Sequence, residues 1–152
     1  MKKRKIVLLL QNIRSLHNVG SLFRSADVFG VEKIYLCGYT GAPPRKEISK
    51  VALGSDEWIP WEQAQRTHVV IERLRREGYQ IVALETGIPS VPLPTTPFSD
   101  KVALIVGNEV DGITAPIVRR ADVIVHIPMY GKKESLNVSV AGGVALYALR
   151  CS

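Results

Sequence analysis

A single α/β domain, built on a mainly parallel sheet with helices on both faces, is the fold class this sequence predicts. Three observations carry that prediction. Short apolar runs at Ile6–Leu10, Lys33–Cys37, Gln80–Leu84, Lys101–Val106 and Val123–Ile127 alternate with helix-like patterns. The chain has 152 residues, which suits one domain over 1–152. Polar, glycine-bearing segments follow the strands: Asn12 to Gly20, Glu85 to Gly87, Gly107 to Gly112, and Met129 to Asn137. Ligands of open α/β sheets bind beyond the carboxyl ends of the strands, so these segments are the candidate site.

Ile6 to Leu10 is continuously apolar, as fits a strand buried on both faces. Gln11 to Asn18 is polar and turn-like, and Asn18 or Ser21 is the candidate cap of the next helix. Leu22, Ala26 and Phe29 recur at helical spacing, and Gly30 stops that helix. Lys33 to Cys37 completes a βαβ unit, hence parallel strands and a right-handed crossover. Beyond a loop punctuated by Gly and Pro, Arg45 to Leu53 reads as a short helix and Trp58 to Trp61 as an extended piece broken by Pro60. Trp61 to Glu77 reads as a helix with Ala64, His68, Val69, Ile71 and Leu74 on its buried face. The two tryptophans beside Pro60 are assigned to packing rather than base stacking. Gln80 to Leu84 is a strand, Gly87 to Asp100 a proline-stiffened connection, Lys101 to Val106 a strand and Thr114 to Arg120 a short helix. Pro128 ends the strand that starts at Val123. A polar loop, Tyr130 to Glu134, leads to Ser135 as N-cap and a helix over Asn137 to Leu149. In that helix Ala141, Gly142, Gly143 and Ala145 leave little bulk. Each glycine there costs about 1 kcal/mol relative to Ala, so close approach to another segment or a ligand is expected.

Several function classes are excluded. No apolar run approaches the ~20 residues of a membrane span. Ile6 to Leu10 is too short for a signal-peptide core, so a cytoplasmic location is expected. Cys37 and Cys151 read as free thiols of a reducing compartment. No Rossmann glycine pattern, phosphate loop or nucleophile elbow occurs. His17, His68 and His126 lack metal-site spacing, and no metal is expected. Gly107–Gly112 taken alone reads first as a strand-to-helix turn; in the alternative, Glu109 and Asp111 inside it would repel a phosphate and suit a cationic or hydroxyl-bearing group. The net charge of +6 favours an anionic partner, with nucleic acid first.

Three segments, in order, then carry a resemblance: Asn18-Val-Gly-Ser-Leu-Phe-Arg24 with Ala26 and Gly30, Leu104-Ile-Val-Gly-Asn-Glu-Val-Asp-Gly112, and Ile127-Pro-Met-Tyr-Gly-Lys-Lys-Glu-Ser-Leu-Asn-Val-Ser-Val-Ala141. Together they resemble the SpoU/TrmH family of SPOUT RNA 2′-O-ribose methyltransferases, and the match spans residues 6 to 149. The resemblance implies a C-terminal trefoil knot that holds S-adenosylmethionine within about residues 80–150. The implied cofactor contacts are Leu84, Glu85, Thr86, Val106, Gly107, Asn108, Glu109, Ile127, Pro128, Met129, Ser135, Leu136 and Asn137. Arg24, Asn18, Glu109, Ser135 and Asn137 are the implied catalytic set. In that scheme Arg24 comes from the partner subunit of a homodimer; its alternative is a helix-surface salt bridge.

RNA phosphates need exposed cations, for which Arg14, Arg24, Arg45, Lys46, Lys132 and Lys133 are the candidates, with Lys2 to Lys5 as a flexible basic arm. The expected substrate is tRNA, because no accessory RNA-binding domain is evident in the sequence, and rRNA is the rival. A non-catalytic RNA-binding or ribosome-assembly factor is the alternative from another class.

Overall fold

A seven-stranded, wholly parallel sheet forms the frame of the computed structural model, which describes residues 3–152. In chain order the elements are β1 (Lys5–Gln11), α1 (Leu16–Val28), β2 (Lys33–Cys37), α2 (Lys46–Ala52), α3 (Ser55–Trp58), β3 (Trp61–Ala64) and α4 (Thr67–Arg76). They continue with β4 (Gln80–Leu84), β5 (Val91–Pro92), a 3-10 turn (Leu93–Thr95), β6 (Lys101–Val106), α5 (Ala115–Val118), β7 (Val123–His126) and α6 (Val138–Cys151). The strand order is β3-β2-β1-β6-β4-β7-β5.

Period-two alternation sorts the strand side chains onto the two faces. Ile6, Leu8, Leu10, Ile34, Val82 and Leu104 share one core with α1, α2 and α6. Val7, Leu9, Tyr35, Ile81, Ala103 and Ile105 share the other with α4 and α5. Because β1, β4 and β6 are covered on both sides, their sequences are apolar throughout rather than alternating. Close backbone approach locks the helical layer. A Cβ on Gly20 would meet the carbonyl of Ile48 at 2.6 Å, and one on Gly142 would meet Leu22 Cδ2 at 2.6 Å. The expectation of close approach therefore holds at Gly142; at Gly143 a Cβ would meet only Ser25 Oγ, at an ordinary 3.5 Å.

Several expected boundaries shift. Trp61–Ala64 is a strand, not the start of a helix, because it pairs with β2 from Ile34↔Trp61 to Cys37↔Ala64. Cross-element ion pairs fix it there: Glu62 meets Lys33 at 3.1 Å and Arg73 at 2.8 Å. The helix begins only at Thr67, and its buried face is Thr67, Val70, Ile71 and Leu74, leaving His68 and Val69 exposed. Trp58 ends a single helical turn instead of opening an extended piece. It is 60% exposed yet packs over Gly54 and donates through Nε1 to Asp27 Oδ1 at 2.7 Å, whereas Trp61 packs on the core.

Both expected helix caps move as well. Ser15, not Asn18 or Ser21, caps α1, its hydroxyl accepting from Asn18 N at 3.1 Å. Asn137, not Ser135, caps α6 through Ser139 N (2.9 Å) and Val140 N (3.3 Å).

The basic start is no free arm over its described part; Met1 and Lys2 lie outside the described residues. Lys5 opens β1, and Arg4 donates to the carbonyls of Ser99 (2.8 Å), Phe98 (3.2 Å) and Leu149 and to Ser152 Oγ (2.6 Å). Arg150 answers it, donating to the carbonyls of Phe29 (2.8 Å) and Arg4 (2.7 Å).

Candidate active site

The loops that leave the carboxyl ends of β4, β6 and β7 converge on one cavity. Eleven of the thirteen expected cofactor contacts line it: Leu84, Glu85, Thr86, Val106, Gly107, Asn108, Glu109, Ile127, Met129, Ser135 and Leu136. Pro128 and Asn137 do not, although both neighbours of each do. The sequence reading missed Val110, Gly112, Val138 and Ala141. All four stand inside or beside the motifs, so reading each motif as a continuous wall would have found them.

The loop after β6 is packed too tightly for side chains at its glycines. A Cβ on Gly107 would fall 2.5 Å from Ile113 N and 2.6 Å from Gly112 C. Gly112 has φ +70, and a Cβ there would meet the Glu85 carboxylate at 2.3 Å. That carboxylate is already engaged, accepting from Ile113 N at 2.7 Å and from Thr86 N at 3.0 Å. Asn108 is buried and braces the loop twice over. Its Oδ1 accepts from Val110 N (2.8 Å) and Asp111 N (2.9 Å), and its Nδ2 donates to Asn12 O (2.9 Å) and Tyr39 Oη (2.7 Å).

Glu109 joins this loop to α1. It accepts from Arg14 N and Ser15 N, each at 3.1 Å, and from Asn18 Nδ2 at 3.2 Å. Desolvation, the largest single influence, pushes its carboxyl up. The N–H groups of Ser15, Glu109 itself and Arg14, with the Asn18 amide, outweigh that push and hold the group below its ordinary value. Asn18 is buried, and its Oδ1 accepts from Asn137 Nδ2 at 3.2 Å. One line of hydrogen bonds, Asn137–Asn18–Glu109, therefore ties the start of α6 to α1 and to the loop after β6. Ser15 makes the line possible: by capping α1 it leaves the Asn18 side chain for this bridge.

The remaining candidates lie apart. Ser135 is exposed on the cavity rim. Arg24 is on the outer side of α1 and does not line this cavity; it borders a groove with His17, Glu47, Lys50, Val51 and Leu53. Among the described residues it has no ion-pair partner within 4.0 Å, which removes the salt-bridge alternative. None of the other cations lines the cavity. Arg14 is exposed beside Glu109, and Arg45 pairs with Glu47 at 3.6 Å. Lys46 is exposed on α2, and Lys132 and Lys133 border a second groove beyond the cavity. Cys37 is buried, which pushes its thiol up to about 12 and leaves it inert. Among the described residues no helix is long and apolar enough to cross a membrane.

Comparison with known proteins agrees with this geometry. The model of the SpoU rRNA Methylase family matches residues 5–147. A tRNA (guanosine(18)-2′-O)-methyltransferase of Aquifex aeolicus is 32% identical over 96% of this chain and 69% of its own length. A 23S rRNA (guanosine(2553)-2′-O)-methyltransferase of Bacillus subtilis is 34% identical over 95% of this chain and 57% of its own length. The AdoMet-bound rRNA methyltransferase of Sinorhizobium meliloti superposes with a TM-score of 0.91 at 32% identity, covering 98% of this chain and 57% of that one. The chain thus spans between 57% and 69% of the length of these relatives. With the family model matched over nearly its whole length, this chain belongs to the SpoU rRNA methylase family.

Proposed function

We propose that this protein is an S-adenosylmethionine-dependent RNA 2′-O-ribose methyltransferase of the cytoplasm, acting as a homodimer. The line Asn137–Asn18–Glu109 beside the cavity is the observation that carries the reading. The cavity lining suits the cofactor. Leu84, Val106, Ile127, Met129 and Leu136 give apolar wall for a purine and a methylene chain, while Thr86, Asn108, Glu109 and Ser135 give polar edge. Bound there, S-adenosylmethionine supplies an electrophilic methyl group on a sulfonium sulfur.

The protein has to make a ribose hydroxyl a better nucleophile, since its proton must leave, here to solvent water at the exposed cavity rim, as the oxygen attacks. Glu109 is ill-suited to take that proton: both of its oxygens are engaged, and a carboxyl held low is a poor base. Its part is positional, fixing Asn18 and the start of α1. Asn137 holds the start of α6, and Ser135 presents an exposed hydroxyl at the rim. A guanidinium is a permanent cation and a poor proton acceptor. The unpaired charge of Arg24 suits a clamp on the phosphate beside the target and stabilisation of the developing alkoxide.

In a symmetric dimer Arg24 of one subunit would complete the other's site. The exposed apolar residues Val140, Val144 and Tyr147 of α6, next to Phe29 just past the end of α1, support that assembly as its contact face. The C-terminal trefoil knot over about residues 80–150 belongs to the same reading, and α6 packed on the Leu93–Thr95 turn supports it. Among RNAs, tRNA is the first candidate and rRNA the second; relatives named for each support both.

Transfer of radiolabelled methyl groups to bulk tRNA and bulk rRNA is the test. Arg24→Ala is expected to lose at least 100-fold in rate, with cofactor affinity by calorimetry unchanged within about twofold. Wild-type protein that binds RNA but transfers no methyl group to either pool would establish the non-catalytic RNA-binding factor instead.

A further inference from the structure

Tyr39, just beyond β2, is an exposed aromatic residue that the structure takes unusual trouble to hold still. It is 60% exposed, yet both of its ends are fixed. Its backbone N–H donates to Asn12 Oδ1 at 3.3 Å, and its hydroxyl accepts from Asn108 Nδ2 at 2.7 Å. Two left-handed residues make the arrangement possible. Asn12 has φ +56, a region that non-glycine residues seldom enter and that Asn tolerates best. Gly38 has φ +64, and a Cβ on it would lie 1.9 Å from Asn12 Oδ1. The segment behind the ring is equally fixed. Thr40 is buried, its hydroxyl donating to the carbonyls of Leu10 (3.0 Å) and Cys37 (2.8 Å) and accepting from Ile13 N (3.0 Å). Gly41 lies so close to Leu16 that a Cβ there would meet Cδ2 at 2.4 Å.

The ring stands at the edge of the proposed site. Asn108, which holds its hydroxyl, lines the cofactor cavity and precedes Glu109. The same Asn108 amide also donates to Asn12 O, two residues before the exposed Arg14. Among the described residues no other aromatic ring stacks on Tyr39 and no cation covers it. A preordered aromatic face, tied through Asn108 to the segment that carries an exposed cation, is the chemistry that takes a splayed-out nucleobase, with the adjoining phosphate on the cation. Core packing does not require this exposure, and a hydrogen bond to Asn108 does not require an aromatic ring.

We propose that Tyr39 is a positioning residue for the RNA, stacking a nucleobase next to the methylated nucleotide while Arg14 meets the adjoining phosphate. The proposal rests on the RNA 2′-O-methyltransferase reading and adds the means by which the single-stranded target is aligned.

Tyr39→Phe and Tyr39→Leu test it together, since both lose the hydroxyl and keep bulk, and only Phe keeps the aromatic face. Methyl transfer is measured on whichever bulk RNA the wild-type protein modifies, with cofactor affinity by calorimetry and thermal midpoint in parallel. Tyr39→Leu should raise KM for RNA roughly tenfold or more, with kcat changed less than threefold and cofactor affinity unchanged. Tyr39→Phe should stay within about threefold of wild type in KM. Equal effects of Phe and Leu on KM, or a loss of cofactor affinity in both, would mean that the residue only braces Asn108 and would overturn the proposal. An unchanged KM in both would overturn it too. A wild-type protein that methylates neither RNA pool would instead remove the function on which the proposal rests, so the two failures are distinguishable.

Discussion

The loop after β6 and the loop after β7 line the same cavity and are held in opposite ways. Residues 107–112 are bonded at almost every position, through the Asn108 side chain, the Glu109 carboxylate and the mutual N–H to carbonyl bonds of Asn108 and Gly112 (3.2 and 3.0 Å). Between Ile127 and Leu136, by contrast, no hydrogen bond to the rest of the described chain is formed. Tyr130 there is 95% exposed, and Gly131 has nothing within 4 Å of where its Cβ would lie. The contrast teaches a division of labour. One wall is held by its own hydrogen bonds, and the other, beyond the packing of Ile127 on the core, is left to be held by what binds.

Gly107→Ala should break the first wall outright, because the new Cβ meets backbone that cannot step aside. A loss of about 2–3 kcal/mol in urea unfolding is expected, with cofactor binding abolished. An unfolding midpoint unchanged from wild type would sink the idea of a prebuilt wall.

Glu109→Gln probes the tie between that wall and α1. The folded carboxyl sits below its ordinary value, so its stabilisation is fully present above that ordinary value and is lost as pH falls through the lower folded one. The variant should be less stable by about 1 kcal/mol near neutral pH, the group being partly exposed. The gap between the two proteins should close below about pH 4. A gap that persists at low pH would show that geometry, not charge, is responsible.

Hydrogen exchange sharpens the contrast without mutation. Saturating cofactor should slow amides in 127–136 by tenfold or more and leave 107–112 within about twofold. Equal protection of both loops would erase the distinction. Gly131→Ala should be the mildest change, within about 0.5 kcal/mol in stability, since its Cβ meets open space.

This division also explains how much of the molecule was legible in the sequence. The strands of the sheet centre were, because a strand buried on both faces must be apolar throughout, and Ile6–Leu10 and Lys101–Val106 are nearly so. The edge strand Trp61–Ala64 was not, because its polar residues fit a helix equally well until Glu62 finds Lys33 and Arg73. The cavity lining was mostly legible, since it follows three strands in consecutive stretches. The caps were not: several capping residue types stand close together near each helix start, and only the fold selects Ser15 and Asn137. Links such as Asn108 to Tyr39 join segments that no local pattern connects.

The central ladder, in which Lys5 pairs with Lys101 and Leu10 with Val106, has a consequence for biogenesis. Within this domain β1 waits for β6 until some hundred residues have followed. At about 5–20 residues per second, that interval is roughly 5–20 s. Throughout it, one side of β1 is an unpaired edge of apolar sequence, the kind of surface on which chains aggregate. That exposure falls before any residue of the cofactor cavity has been joined to the chain beyond Leu84, Glu85 and Thr86. Translation speed over the 85–100 connection becomes a determinant of yield, separate from the stability of the finished fold.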